Sequence, residues 1–121
     1  KTLSGAVVSG AAPATPTANV LYTDSVVKGW VKTSGAGVWT IDDDLNVSSI
    51  TDDAVGRFTI NWATAFAGAS YAVIATLHTT GRDGIRIVSQ LAGSVQLEVF
   101  NEAGALVDPA TGVRVIAIGD Q

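Results

Sequence analysis

Short runs of β-branched and aromatic residues, separated by Gly, Asp and Asn, fill the chain from Ser25 onward. Turn-forming residues recur about every ten positions, a spacing typical of β-sandwiches and barrels. No connection calls for a helical crossover, except that the segment Asn101–Gly112 is long enough for one. The pattern predicts an all-β fold, an antiparallel β-sandwich of about eight strands. The predicted strands are Val26–Lys32, Val38–Ile41, Leu45–Thr51, Arg57–Trp62, Tyr71–Leu77, Ile85–Gln90, Ser94–Phe100 and Val113–Gly119.

The predicted strands are of two kinds. In Arg57–Trp62 apolar and polar residues alternate, which is typical of a strand with one face in water. Tyr71–Leu77 and Val113–Gly119 are instead apolar on both faces. Because a two-layer domain leaves one face of every strand outside, such strands indicate a third layer, and another subunit supplies one most simply. The chain is therefore expected to form a homo-oligomer.

The first 22 residues have a different composition. They contain small residues, Ser, Thr and the prolines Pro13 and Pro16, with no sustained period of 2 or 3.6. We interpret residues 1–22 as an extended arm or stalk linker and residues 23–121 as the sandwich domain, with Gly5–Ser9 as an alternative first strand. The chain also contains no methionine, so we expect it to be a piece of a longer protein.

The acidic stretch from Asp42 to Asp53 offers three interpretations. Its aspartates are contiguous and lack the spacing and final Glu of a calcium-binding loop, so they are interpreted as two acidic turns. Asn46-Val47-Ser48 fits the N-glycosylation triplet, a pattern common by chance. Between the turns, a β-bulge at Ser48-Ser49 would bring Leu45, Val47 and Ile50 to one side of a strand.

Composition argues against several classes of function. The chain has no cysteine and a single histidine, His78, so neither a zinc site nor a nucleophile with its base is indicated. We expect no catalysis, no metal and no cofactor. A net charge of −4 with seven scattered basic residues argues against nucleic acid. No apolar run approaches the roughly 20 residues of a membrane span, so no membrane insertion is expected.

Low charge supports the expectation of self-association. Charged residues make up 15% of the chain and hydrophobic residues 47%, against about 25% charged in an average domain. A small domain of this composition has trouble covering its surface with polar groups, so copies of itself or partners are expected to cover part of it.

The turns supply the candidate binding residues. Gly81–Gly84, Ala92–Gly93 and Asn101–Gly104 are expected to be exposed loop tips, with binding by turns at one end of the sandwich. The order Arg-Asp-Gly within the first of them is interpreted as a turn and not as an adhesion tripeptide. The candidate binding residues are Arg82, Asp83, Asn101 and Glu102.

Three tryptophans are candidates for a sugar-stacking platform. Lys28, Trp30 and Lys32 share one face of a predicted strand, with the lysines able to keep the edges of the ring wet. Trp62 belongs to a core-facing alternation and Trp39 to a short hairpin, so core or interface packing is favoured over sugar binding.

Residues 26–76 resemble a module of tail-fibre and related virion structural proteins of tailed bacteriophages. The matching elements are Lys28-Gly29-Trp30, Gly35 and Gly37, Asn46 to Ile50 followed by Asp52, Phe58 to Trp62, and Tyr71 to Val73. Pro16 to Trp30 also resembles the segment that precedes the module in such proteins. The chain departs from the pattern at Asp53-Ala54-Val55-Gly56, where an Asn-Gly turn is frequent, and at Phe58, where Tyr is frequent.

The resemblance implies a domain of a fibre, typically trimeric, on the surface of a phage particle. Its expected partners are its own copies, other virion proteins and a glycan or protein of the host surface, and no catalytic residues are implied. Two alternatives remain open at this point: a capsid decoration or cement protein, and a carbohydrate-binding module of a secreted protein with Trp30 or Trp39 as its platform.

Overall fold

The computed structural model describes residues 15, 22, 25–34 and 37–121, and within them the fold is all-β. Eight strands form two antiparallel four-stranded sheets, which we call sheet A (order β2-β1-β8-β5) and sheet B (order β3-β4-β7-β6). The predicted sandwich is confirmed. The strands are β1 Val27–Ser34, β2 Thr40–Leu45, β3 Val47–Ala54, β4 Arg57–Trp62, β5 Ala72–Leu77, β6 Gly84–Leu91, β7 Ser94–Phe100 and β8 Val113–Ile118.

Three connections between the eight described strands are hairpins and four are crossovers between the sheets. β1–β2, β3–β4 and β6–β7 are hairpins within one sheet, whereas the other connections pass between the sheets. The connection from β7 to β8 contains no helix, so the crossover allowed by the length of Asn101–Gly112 is irregular chain. Two edges of the sandwich result, with β2 beside β3 at one flank and β5 beside β6 at the other.

The core lies between the sheets and follows the predicted alternation. Phe58, Ile60 and Trp62 of β4 are buried, and β7 and β8 contribute inward-facing valines, a leucine and an alanine. Burying a side chain of this size contributes about 1.5–3 kcal/mol relative to leaving it exposed. Trp39 packs on Phe58 with 4.0 Å between ring centroids, so it belongs to the core layer and not to an exposed platform.

The acidic stretch does not form the two turns that its composition indicated. Asp42–Asp44 lie within β2, and Asp52 and Asp53 lie within β3. The chain reverses instead at Asn46, whose φ is 61°, and at Gly56, whose φ is 67°. Asn46 tolerates this left-handed conformation because its side chain pairs with the backbone of Thr64, accepting from its N–H at 2.6 Å and donating to its carbonyl at 3.0 Å.

The predicted bulge is present, but Leu45 does not lie on the same side as Val47 and Ile50, contrary to the prediction. The register of β3 against β4 shifts between Val47 and Ser49, as the spacing required, and Val47 and Ile50 both pack on the core. Leu45 does not join them. It ends β2 in sheet A and is 46% exposed, because the turn at Asn46 carries the chain from one sheet to the other.

Candidate self-association face

The outer face of sheet A carries a row of apolar side chains that runs across all four strands. Trp30 on β1 is paired with Leu45 on β2 and with Ile116 on β8, and Ile116 is in turn paired with Ile74 on β5. We call these four residues the apolar row. Leu45, Ile116 and Ile74 are 46%, 40% and 54% exposed. At about 4.8 Å between strands, the row is roughly 14 Å long.

The apolar row arises from the strands whose sequences are apolar on both faces. In β8, Val113, Val115 and Ala117 are buried, which places Ile116 outside. In β5, Val73 and Ala75 face the core and Ile74 faces out. Both strands that the sequence showed to be apolar on two faces therefore lie in sheet A, with one face toward the core and the other toward solvent. That another subunit covers this outer face stays a prediction.

Charged residues border the apolar row on one side. Lys32 is paired with Asp43 on β2 and with Arg114 on β8, two residues along each strand from the apolar row and on the same face. The Lys32 Nζ also lies 3.9 Å from Asp42, on an exposed part of the face. A border with both signs of charge makes little net contribution in water, but it can pair with a second copy in a defined orientation.

The outer face of sheet B is polar over β3, β4 and β7, whereas the edge strand β6 exposes Val88 and Leu91 (44% and 60%). Asn61 donates to the hydroxyls of Ser49 at 3.1 Å and Thr51 at 3.0 Å. Asp53 accepts from Thr59 at 2.6 Å and from Gln96 at 3.0 Å. These side chains satisfy one another in a layer that is open to water.

Glu98 lies at the centre of that polar face between two arginines. One of its oxygens accepts from Arg57, with Nε at 2.7 Å, and the other accepts from Arg86, with Nε at 2.8 Å. The arginines lie over the carboxylate, which leaves Glu98 2% exposed although it is outside the core. Hydrogen bonds from Arg57 and then from Arg86 lower the pKa of Glu98 below its ordinary value.

The candidate binding residues meet in part at one end of the sandwich. Arg82, in the β5–β6 loop, donates to Glu102 in the β7–β8 loop at 3.1 Å, and both side chains are largely exposed. Asp83 and Asn101 stabilise their own loops. Asp83 accepts from the Thr79 hydroxyl at 3.2 Å. The Asn101 side chain accepts from two backbone N–H groups of its own turn at 3.0 Å.

The third loop tip does not belong to this cluster. Ala92-Gly93 joins β6 to β7 at the end where Leu91 pairs with Ser94, whereas Gly84 pairs with Phe100 at the other end. The length of the β6–β7 hairpin separates Ala92-Gly93 from the other two loops. The prediction that all three loops lie at one end of the sandwich is therefore wrong. His78 is exposed, and its backbone N–H donates to Gly112 at 3.1 Å.

Among the described residues, no three His, Asp or Glu side chains are placed to hold a metal ion. That part of the chain also contains no helix long and apolar enough to cross a membrane. No protein family, curated protein or solved structure matches the chain. Functional inference therefore depends on the surface itself. Sequence periodicity identified its strands but not the pairing of Trp30, Ile116 and Ile74, which follows from the strand order.

Proposed function

We propose that this domain is a structural component of a phage-like particle, a fibre domain that assembles with its own copies through the outer face of sheet A. The apolar row carries the proposal, because it is an apolar stripe that crosses all four strands of sheet A, whereas β3, β4 and β7 of sheet B have a polar outer face. The resemblance of residues 26–76 to fibre modules supports the virion setting, and three copies are the expected number.

The energy available to the apolar row is suited to assembly. Fully burying a Leu or Ile side chain contributes about 1.5–3 kcal/mol. Leu45, Ile116 and Ile74 still expose about half of their surface, so covering them is worth roughly 1 kcal/mol each per subunit. The Trp30 ring adds to this total. Each 1.4 kcal/mol corresponds to about tenfold in affinity, so the row is a substantial part of a micromolar interface.

The orientation that follows places the remaining features outside. With sheet A against other copies, the polar face of sheet B meets water. The loop end that holds Arg82 and Glu102 then remains exposed, as both residues are in the single chain. A host-surface glycan or protein would meet the fibre at these loops, which is the adhesive part of the proposal.

Particle labelling tests the virion role. An antibody against the domain, applied to phage particles that encode the chain, is expected to label fibre tips by electron microscopy. Label on the shell would contradict the fibre role and support a decoration or cement protein. Absence of the domain from purified particles would contradict any virion role.

Adsorption tests the adhesive part separately. Particles carrying Arg82→Ala and Glu102→Ala are expected to assemble normally and adsorb more slowly than wild-type particles. Thr80→Ala, an exposed substitution in the same loop, is the matched control. Unchanged adsorption of the double variant would contradict a binding role for this loop pair and leave a purely structural fibre domain.

Trp30 supports a second candidate function, a carbohydrate-binding module. Its partly exposed ring lies on the outer face with Lys28 and Lys32 on either side along β1, where a sugar face could stack on it. Trp39 no longer qualifies, since it packs on Phe58. Glycan binding by a monomeric chain that is lost in Trp30→Ala would support this alternative, and a Trp30 buried between subunits would exclude it.

A further inference from the structure

β5 is an edge strand without the features that prevent pairing with other strands. The other three edges carry them within the described residues. β2 contains Asp42–Asp44, β3 has two register shifts against β4, and β6 has a register shift between Ile87 and Ser89. Charges and bulges of this kind block the addition of further strands.

The sequence of β5, Ala-Val-Ile-Ala-Thr-Leu, contains no charge, proline or glycine. It pairs with β8 in unbroken register from Ala72 to Leu77. Strand addition takes place at regular, uncharged sheet edges of this kind.

The backbone groups on the free side of β5 follow from the pairing. His78 donates its N–H to Gly112 on the β8 side, so Ile74 and Thr76, which have the same parity, also bond toward β8. The Tyr71 carbonyl points the other way, since it accepts from Gln90 of β6 at 2.7 Å. The N–H and C=O groups of Val73, Ala75 and Leu77 therefore point to the open edge.

A cleft lies beside this edge. It has a volume of about 190 Å³ at the flank where β5 and β6 do not close, and it is lined by aliphatic side chains together with Arg86. Its lining is Val73, Ala75, Ile85, Arg86, Ile87 and Leu97. A strand added to β5 would direct alternate side chains into the cleft, because successive side chains of a strand point to opposite faces.

The flank alone is too small to hold an untethered partner. Six residues of strand and a sheet separation of about 10 Å give a flank of roughly 20 by 10 Å, about 200 Å². A stable interface needs about 800 Å² per partner. The occupant must therefore already be held nearby, and a segment of a subunit docked on the apolar row meets this condition, since Ile74 of that row lies on β5 itself.

We propose that β5 pairs with residues 5–9 of a neighbouring copy, Gly-Ala-Val-Val-Ser, which extends sheet A by one strand and fills the cleft. Residues 5–9 are outside the described part of the chain. They carry no charge and include two β-branched valines, which suits pairing with an uncharged strand edge. The 15 residues from 10 to 24 that connect them to Ser25 can span up to about 50 Å. This pairing rests on the proposed self-association of sheet A.

Amide hydrogen exchange of the full-length chain, read residue by residue by NMR, tests the pairing. With an empty edge, protection alternates along β5: Ile74, Thr76 and His78 are protected by β8, and Val73, Ala75 and Leu77 exchange freely. With the edge occupied, all six amides are protected, the second set by at least about tenfold. The β8-facing amides report in every variant that the domain is folded.

Two variants identify the occupant. Val7→Asp/Val8→Asp is expected to restore the alternating pattern, since it would bring two carboxylates against the uncharged strand β5 and the aliphatic side chains Val73 and Ala75. Ala11→Asp/Ala12→Asp adds the same charge outside residues 5–9 and is expected to keep all six amides protected. Alternation already present in the wild-type oligomer, or full protection that persists in Val7→Asp/Val8→Asp, would overturn the pairing.

Mixing identifies the copy that supplies the strand. Isotope-labelled Val7→Asp/Val8→Asp chains, refolded with excess unlabelled wild type, are expected to regain protection of Val73, Ala75 and Leu77. Failure to regain it would show that each chain covers its own edge and would overturn the exchange between copies. A monomeric wild type would instead refute the proposed self-association, so the two failures are distinguishable.

Discussion

Tyr71→Phe removes one oxygen atom and should cost a large part of the stability of the domain. The Tyr71 hydroxyl accepts from the Trp62 indole N–H at 3.0 Å and lies 2.8 Å and 2.9 Å from the carbonyls of Leu91 and Ser94. It thereby joins the start of β5 in sheet A to the β6–β7 turn and to β4 in sheet B. Phe would keep the ring stacked on Phe66 at 3.9 Å.

The magnitude follows from the groups left without partners. The Trp62 N–H is buried, and leaving a buried donor unsatisfied costs about 1–3 kcal/mol. The hydrogen bond that the Tyr71 hydroxyl donates adds about 1 kcal/mol. We expect a loss of about 2–3 kcal/mol, which lowers the urea midpoint by roughly 1–2 M for a domain of this size.

Urea denaturation followed by tryptophan fluorescence measures this loss. Thr80→Ala, which removes an exposed hydroxyl, is the control and should change stability by less than about 0.5 kcal/mol. A Tyr71→Phe variant as stable as the control would refute the argument that this hydroxyl holds the two sheets together.

Three further predictions concern backbone strain and titration. Gly112→Ala should destabilise the domain by roughly 3 kcal/mol or more, because the φ of Gly112 is +91° and the added Cβ would lie 1.9 Å from the Thr33 carbonyl oxygen. The control Gly93→Ala, with open space around the added Cβ, should be nearly neutral, and equal urea midpoints of the two variants would contradict the prediction. Because the pKa of Glu98 is lowered in the folded state, its stabilising contribution is present above the unfolded value near 4.5 and is lost as pH falls through the folded pKa. The difference in unfolding free energy between wild type and Glu98→Gln should therefore shrink on acidification, and a difference independent of pH would contradict this. Burial raises the pKa of Tyr71 above 10.0, so its contribution is complete below pH 10 and is lost as pH rises through the folded pKa, and stability should fall less steeply above pH 10 in Tyr71→Phe than in wild type.

The sequence predicted the strands well because alternation and turn residues are local signals. Arg57–Trp62 and Ser94–Phe100 have their predicted bounds, since Gly or a hairpin turn lies next to each. The prediction of two acidic turns was wrong, because composition alone does not show that Asp42–Asp44 lie on an exposed edge strand. There, charge is compatible with a β-strand and blocks further pairing.

The candidate face could be predicted only in outline. Strands apolar on both sides indicated an uncovered surface, but the alignment of Leu45, Trp30, Ile116 and Ile74 depends on the strand order β2-β1-β8-β5. Non-consecutive strands pair there, and a single sequence does not show which ones do. The same long-range pairing places Arg82 beside Glu102 and separates both from Ala92-Gly93.

The mass of the chain in solution tests the central claim most directly. Sedimentation equilibrium of the wild-type chain should give an oligomer, with a trimer expected. Leu45→Asp and Ile116→Asp on the apolar row should dissociate it by at least tenfold in Kd. Leu91→Asp, at a leucine of sheet B that is more exposed than Leu45 (60% against 46%), should leave the mass unchanged. A monomeric wild type, or equal effects of Leu45→Asp and Leu91→Asp, would contradict the account.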